Sequence, residues 1–282
     1  MTPRPALLPL PASPVADAYA RLTRAFPRLS VREPAPGERA PEDDGWVSGA
    51  ELASGGPALD SFLAWDEAQV LRDHGRPGRP DVVAGFGLHR YAWPAALLIT
   101  VPWFLDRRVP RLAPGQFSFR RAHGLAVVRV TEFACLPDDP AAHLPGARPV
   151  ADEQALRDEV RVSVAAHIGP VLEGFATRMR RGRRALWGMV TDDLVEGLWH
   201  IGNLLGEEER AIAELERLLP RTTRPYVGTP GFRHLTGPQG ELMPTRDRVS
   251  CCLFYTLRPD DSCVTCPRTC DTTRVTRLLP NA

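Results

Sequence analysis

Six cysteines are spread unevenly along the 282 residues: Cys135 stands alone, and the other five lie from Cys251 onward. Four of these read Cys251-Cys252, ten residues, then Cys263-Val264-Thr265-Cys266, a C-C-x10-C-x2-C pattern. Four thiolates at short spacing on one piece of chain can surround a metal centre. The gap of two between Cys263 and Cys266 lets a tight turn present both sulfurs to one metal, which zinc and iron–sulfur sites share. The adjacent pair is the discriminating half. Neighbouring side chains of an extended chain point to opposite sides, so closing one tetrahedral zinc with both is strained, and zinc pairs favour roughly two to four intervening residues. A two-iron cluster is larger and asks less of the pair. The spacing favours [2Fe–2S] over zinc, and a structural zinc module on a helical domain is the alternative.

The rest of the chain must position those thiols. A hydrophobic fraction of 43% and a charged fraction of 24% are ordinary for a globular protein with a sizeable core. The net charge of +1 gives no electrostatic footprint for nucleic acid. All 35 basic residues are arginine, and with the abundant Ala and Pro this reads as codon bias. Met1 to Pro14 is broken by prolines and does not read as a signal peptide. The longest apolar stretch, Ala92 to Leu105, is too short to span a bilayer and contains Pro94 and Pro102. These features imply a soluble cytoplasmic protein without a transmembrane segment, in which thiols stay reduced and crowded cysteines suggest metal or redox chemistry.

Apolar periodicity predicts helices over Val15 to Phe26, Ala58 to Arg72, Asp81 to Leu105 (buried, interrupted near Pro94), Asp152 to Arg180 (kinked or split at Pro170), Gly182 to Leu205 and Glu207 to Leu219. Gln116 to Arg121 and Leu125 to Thr131 read as two short strands turned at His123-Gly124. Arg32 to Gly45 and Pro137 to Pro149 read as loops, and helical periodicity is lost after Pro220. The expected fold is α+β: a mostly helical body, a small antiparallel sheet near residues 116–131, and a loop-rich C-terminal segment. Three regions are expected: an N-terminal helix and Pro-rich linker over 1–45, the helical body over 46–220, and the cysteine segment over 221–282.

With Arg248 and Ser250 just ahead of it, the cysteine pattern resembles the C-terminal motif of the FhuF-like ferric siderophore reductases. Two looser features agree, Arg184-Ala185-Leu186-Trp187-Gly188 opening a helix and Gly45-Trp46-Val47 near the N-terminus. The resemblance implies a [2Fe–2S] cluster with Cys251, Cys252, Cys263 and Cys266 as ligands. It also implies one-electron reduction of Fe(III) in a hydroxamate-type siderophore, in the cytoplasm. Fe(III) is held tightly by hard oxygen donors and Fe(II) far less so; one electron therefore releases the metal. No nicotinamide or flavin fingerprint and no Walker loop is visible, so the expected donor is another protein or a diffusible reductant. Other readings are an electron carrier with a different acceptor, a cluster-based DNA regulator, and a degenerate relative of siderophore synthetases.

Arg248 is a candidate to balance the charge of the cluster; Arg246 is a weaker one. Cys270 reads as incidental and Cys135 as a small core residue. Tyr226, His234, Trp187 and Asn203 are candidates for a siderophore cleft, with packing or loop structure as the plainer account of each. His89, Arg90 and Trp93 form a polar and aromatic cluster inside an apolar helix, for which a buried, hydrogen-bonded histidine is the expectation. Arg178 to Arg184 is a basic run suited to a helix end.

Overall fold

A computed structural model describes residues 13–35, 37–38, 41, 45–259 and 261–279. Most of Met1 to Pro14, and parts of the Arg32 to Gly45 stretch, lie outside the described residues. The order opens with α1 (Ala16–Ala25), β1 (Ser30–Arg32), β2 (Val47–Ser48) and α2 (Gly49–Ser54). In α2 the Ser48 hydroxyl accepts from the Glu51 N–H, while the Glu51 carboxylate accepts from the Ser48 N–H. Both are donors that a helix start otherwise leaves unpaired. Next come α3 (Pro57–His74), started by Pro57 and stopped by Gly75 in the left-handed region, and α4 (Pro80–Asp106).

Helix α4 is the axis of the core. It is apolar on all sides, as a helix surrounded by protein must be, and it packs against α1, α3 and two later helices. The expected interruption at Pro94 is absent: α4 runs unbroken through Pro94 and Pro102. A proline inside a helix costs roughly 3 kcal/mol. Burial of a Leu or Phe contributes about 1.5–3 kcal/mol, so fully buried Leu97, Leu98, Trp103 and Phe104 more than offset it. The unbroken helix is long and apolar enough to cross a membrane by length and composition, but 78% of its apolar window is buried inside the fold, as in a core helix.

Short strands follow: β3 (Val109–Arg111), β4 (Phe117–Arg120), β5 (Leu125–Val128), β6 (Glu132–Cys135) and β7 (Ala147–Pro149). The predicted pair is present as β4 and β5, turned through Gly124 at φ 61°, where a side chain would strike the Arg28 carbonyl. The sheet is mixed, however, with order β1-β5-β4-β2 and β1 parallel to β5. A second sheet, β3-β6-β7, takes up the last three residues of the expected Pro137 to Pro149 loop. These strands are two to four residues long, too short for side-chain alternation to reveal. Cys135 is fully buried at the end of β6.

Three helices complete the body: α5 (Glu153–Ala176), continuous through Pro170, then α6 (Arg183–Leu204) and α7 (Glu208–Leu218). The tail is more ordered than its texture suggests. It holds a hairpin of β8 (Phe232–Thr236) and β9 (Leu242–Arg246), then α8 (Asp271–Leu278). The buried residue of α8 is Arg274, not an apolar one.

Candidate metal centre

The cysteine segment leaves β9 and lies across α6. Asp192 is buried in α6, and its carboxylate accepts from Arg246 Nη2 at 2.7 Å, the Val249 N–H at 3.1 Å, the Ser250 N–H at 2.9 Å and the Ser250 hydroxyl at 2.8 Å. Burying a charge is costly unless it is paired and hydrogen-bonded; here one carboxylate meets both conditions and pins the chain just ahead of Cys251. Arg246 is fully buried and also pairs with Glu196, so it is an anchor rather than a group facing the thiols. Gly228, at φ 75°, lets Val249 approach; a Cβ there would lie 2.4 Å from Val249 Cγ1.

Past the anchor, Arg181 donates to the Cys251 carbonyl at 2.6 Å. Leu253 takes a left-handed conformation, φ 64°, and its N–H points at Cys251 Sγ from 3.4 Å. The chain then docks on the body, with Leu253 and Leu257 against Val70, Val82, Val83 and Phe86. The second pair is held by a turn in which the Cys266 N–H donates to the Cys263 carbonyl and the Thr269 hydroxyl reaches the same oxygen at 2.9 Å. Buried Arg274 of α8 donates to the Cys266 carbonyl at 3.0 Å and to Asp247 at 2.6 Å. The Arg268 N–H points at Cys266 Sγ from 3.5 Å.

This framework brings the sulfurs together crosswise. Cys251 Sγ lies 3.7 Å from Cys266 Sγ, and Cys252 and Cys263 are near enough for each thiol to shift the other's protonation. The adjacent cysteines point to different partners. Two sulfurs on one tetrahedral metal with bonds of about 2.3 Å are separated by roughly 3.8 Å, so the Cys251–Cys266 spacing suits a shared metal. All six cysteines are free. Among the described residues no group of three or more His, Cys, Asp or Glu could hold a single ion. A donor set built as pairs suits two metals better than one. Cys266 is buried and the other three are partly exposed.

The electrostatics fit an anionic centre. Interaction with the neighbouring Cys263 thiol holds the Cys252 thiol down, to about 5, against the opposing effect of burial, and Arg248 and His89 add to the lowering. The same interaction, with burial, pushes Cys263 up, and burial raises Cys251. Arg248 Nη1 lies 3.9 Å from Cys263 Sγ, with its Nε 3.6 Å from Asp192. Burial works against the Arg248 charge, but Asp192, Cys252 and Cys263 outweigh it and hold the guanidinium protonated.

Residues 248–268 match the FhuF 2Fe-2S C-terminal domain. The chain carries an FhuF-like [2Fe–2S] domain. The match covers the cysteine segment, with Arg248 at its first position and all four cysteines inside it. No curated protein matches the chain. The N–H groups directed at Cys251 and Cys266 sulfurs are of the kind that tunes the potential of such clusters.

Other sequence candidates scatter. Cys270 is exposed at the start of α8, with its Sγ 3.2 Å from the Thr273 hydroxyl. Trp187 and Tyr226 are buried against each other edge-to-face at 5.6 Å, and the Tyr226 hydroxyl donates to the Arg161 carbonyl. Asn203 bonds Glu208 on the surface, and His234 is exposed on β8. The basic run bridges α5 and α6 instead of ending a helix: Arg178 pairs with Asp60, Arg181 reaches Cys251, and Arg183 and Arg184 open α6. His89 departs from expectation most. It is half exposed, and its Nδ1 lies 2.6 Å from the buried Asp193 carboxylate. Burial would lower its pKa, but Asp193 reverses the shift and raises it.

The residues that sequence reading missed are Asp192, Asp193, Arg181 and Arg274. A signal existed for the first two. An Asp-Asp pair inside Met189-Val190-Thr191-Asp192-Asp193-Leu194-Val195 puts two carboxylates into an otherwise buried helix, and buried acids call for cationic partners.

Proposed function

We propose that this protein is a ferric siderophore reductase. In this reading Cys251 and Cys266 hold one iron of the cluster, and Cys252 and Cys263 hold the other. The observation that supports it is the crosswise approach of four thiols on a partly exposed loop beside the partly buried Arg248. When bound, the cluster supplies one electron at low potential, enough to convert one Fe(III) to Fe(II).

The chain does the rest. Asp192 and Arg274 clamp the two cysteine turns, so the sulfurs keep their spacing through the redox cycle. Arg248 offsets negative charge at Cys263. The partly exposed cysteines leave the centre open to an acceptor. The resemblance names hydroxamate chelates as the first acceptors to test, a cytoplasmic setting keeps the thiols reduced, and a separate protein or small reductant supplies the electron.

The test is anaerobic mixing of the dithionite-reduced protein with a ferric tris(hydroxamate) and a coloured ferrous chelator. Oxidation of the cluster with matching capture of Fe(II), at rates that differ between siderophores and simple ferric salts, is expected. Cluster oxidation by every ferric salt at one rate would point to a general electron carrier and reject the reductase assignment.

A further inference from the structure

A cleft of about 670 Å³ opens between α3, α4 and the β4–β5 turn. Its size is that of a small-molecule site. Its walls combine aromatic faces, Phe26, Trp65, Trp93 and Phe119, with the cations Arg28, Arg90 and Arg121. The arginines are pre-set. Fully buried Asp66 pairs with both Arg90 and Arg121, and the two guanidiniums lie over the Trp65 ring at 5.5 and 4.1 Å. One carboxylate offsets only one of these two charges, and Arg28 is exposed with no ion-pair partner among the described residues. The cleft therefore carries surplus positive charge over rigid aromatic surface. His89 lines the cleft and bonds Asp193, the neighbour in α6 of the Asp192 that anchors the cysteine segment.

We propose that this cleft binds the electron acceptor, and that it selects an anionic Fe(III) chelate bearing aryl rings. This rests on the reductase reading for the identity of the acceptor. Guanidiniums held in a fixed fork recognise carboxylate or phenolate oxygens through paired hydrogen bonds, and aromatic walls take flat rings by stacking. Three hydroxamate monoanions neutralise Fe(III), so a tris(hydroxamate) complex gives the arginines no charge to meet. Catecholate or carboxylate arms leave the complex negative. The charge of the cleft thus argues for a different chelate class from the one the motif resemblance implies.

The test uses gallium(III) chelates, which match Fe(III) in charge and size but accept no electron. Calorimetric titration of the cluster-loaded protein compares an anionic bis(catecholate) Ga(III) chelate with a neutral Ga(III) tris(hydroxamate). The catecholate is expected to bind at least tenfold tighter. Arg28→Glu and His123→Glu change exposed side chains at the cleft rim and should weaken it at least fivefold, leaving the hydroxamate within twofold and the visible spectrum of the cluster unaltered. Equal affinities, or catecholate binding indifferent to both substitutions, overturn the cleft assignment even if the reduced protein still reduces ferric chelates. Tight, Arg28-dependent binding with no electron transfer to the iron form supports the cleft and rejects the reductase reading instead.

Discussion

Asp192 of α6 and Ser250, the residue before the first cysteine of the pair, are joined twice: the carboxylate accepts from the Ser250 N–H at 2.9 Å and from its hydroxyl at 2.8 Å. The cysteine loop is thereby fastened to the most buried part of the helical body. Its sulfurs inherit the rigidity of α6 rather than the mobility of a tail.

Asp192→Asn keeps the shape and removes the charge. It takes from the fully buried Arg246 its one buried carboxylate partner, leaving Glu196, and weakens two backbone contacts. Breaking a buried pair from one side costs about 3–5 kcal/mol. Thermal denaturation should show a large fall in Tm, and the cluster should be lost on heating before the helices melt. A variant with wild-type Tm and cluster lifetime would remove Asp192 from this role.

Serine substitutions sort the thiols. Cys252→Ser and Cys266→Ser should abolish the visible absorption and leave less than half the iron and sulfide. Cys270→Ser and Cys135→Ser should keep both, because one thiol is exposed beside the Thr273 hydroxyl and the other is buried in the body. Iron and sulfide analysis with EPR of the reduced protein reads the result, and loss of the cluster in Cys270→Ser contradicts the ligand set.

Arg248→Gln removes a cation 3.9 Å from Cys263 Sγ. Gaining an electron makes the centre more negative, so a nearby cation favours the reduced form. Its loss should lower the potential by on the order of tens of millivolts. Arg248→Lys should restore part of that shift. Redox titration followed by EPR measures it; an unchanged or raised potential counts against the role of Arg248.

The His89–Asp193 pair makes stability depend on pH. The folded His89 pKa is raised, because Asp193 outweighs burial. Its contribution is therefore complete below the unfolded value of about 6.5 and disappears as pH rises through the folded value. Burial also raises Asp193, with His89 opposing that shift. Since the His89 side chain is 50% exposed, screening limits the effect to about 1 kcal/mol or less. Urea midpoints should fall between about pH 6 and about pH 8, and His89→Gln should flatten that slope. An unaltered slope in the variant assigns the pH dependence elsewhere.

Sequence by itself determined the elements whose signal is local. Apolar residues recurring over about three turns or more mark α1, α3, α6 and α7 within a residue or two and α5 with an end four residues too late, and the four cysteines announce themselves by spacing. Helix α4 was legible as buried, but its continuity through Pro94 was not, because the packing that offsets a missing hydrogen bond comes from distant helices. Only the tertiary structure decided which sulfur faces which, for pairing runs through turns anchored by Asp192, Arg181 and Arg274, none adjacent to a cysteine. It also decided the cleft. Arg28, Trp65, His89 and Arg121 lie on four separate segments, and no one-dimensional pattern records that folding sets their side chains around one space.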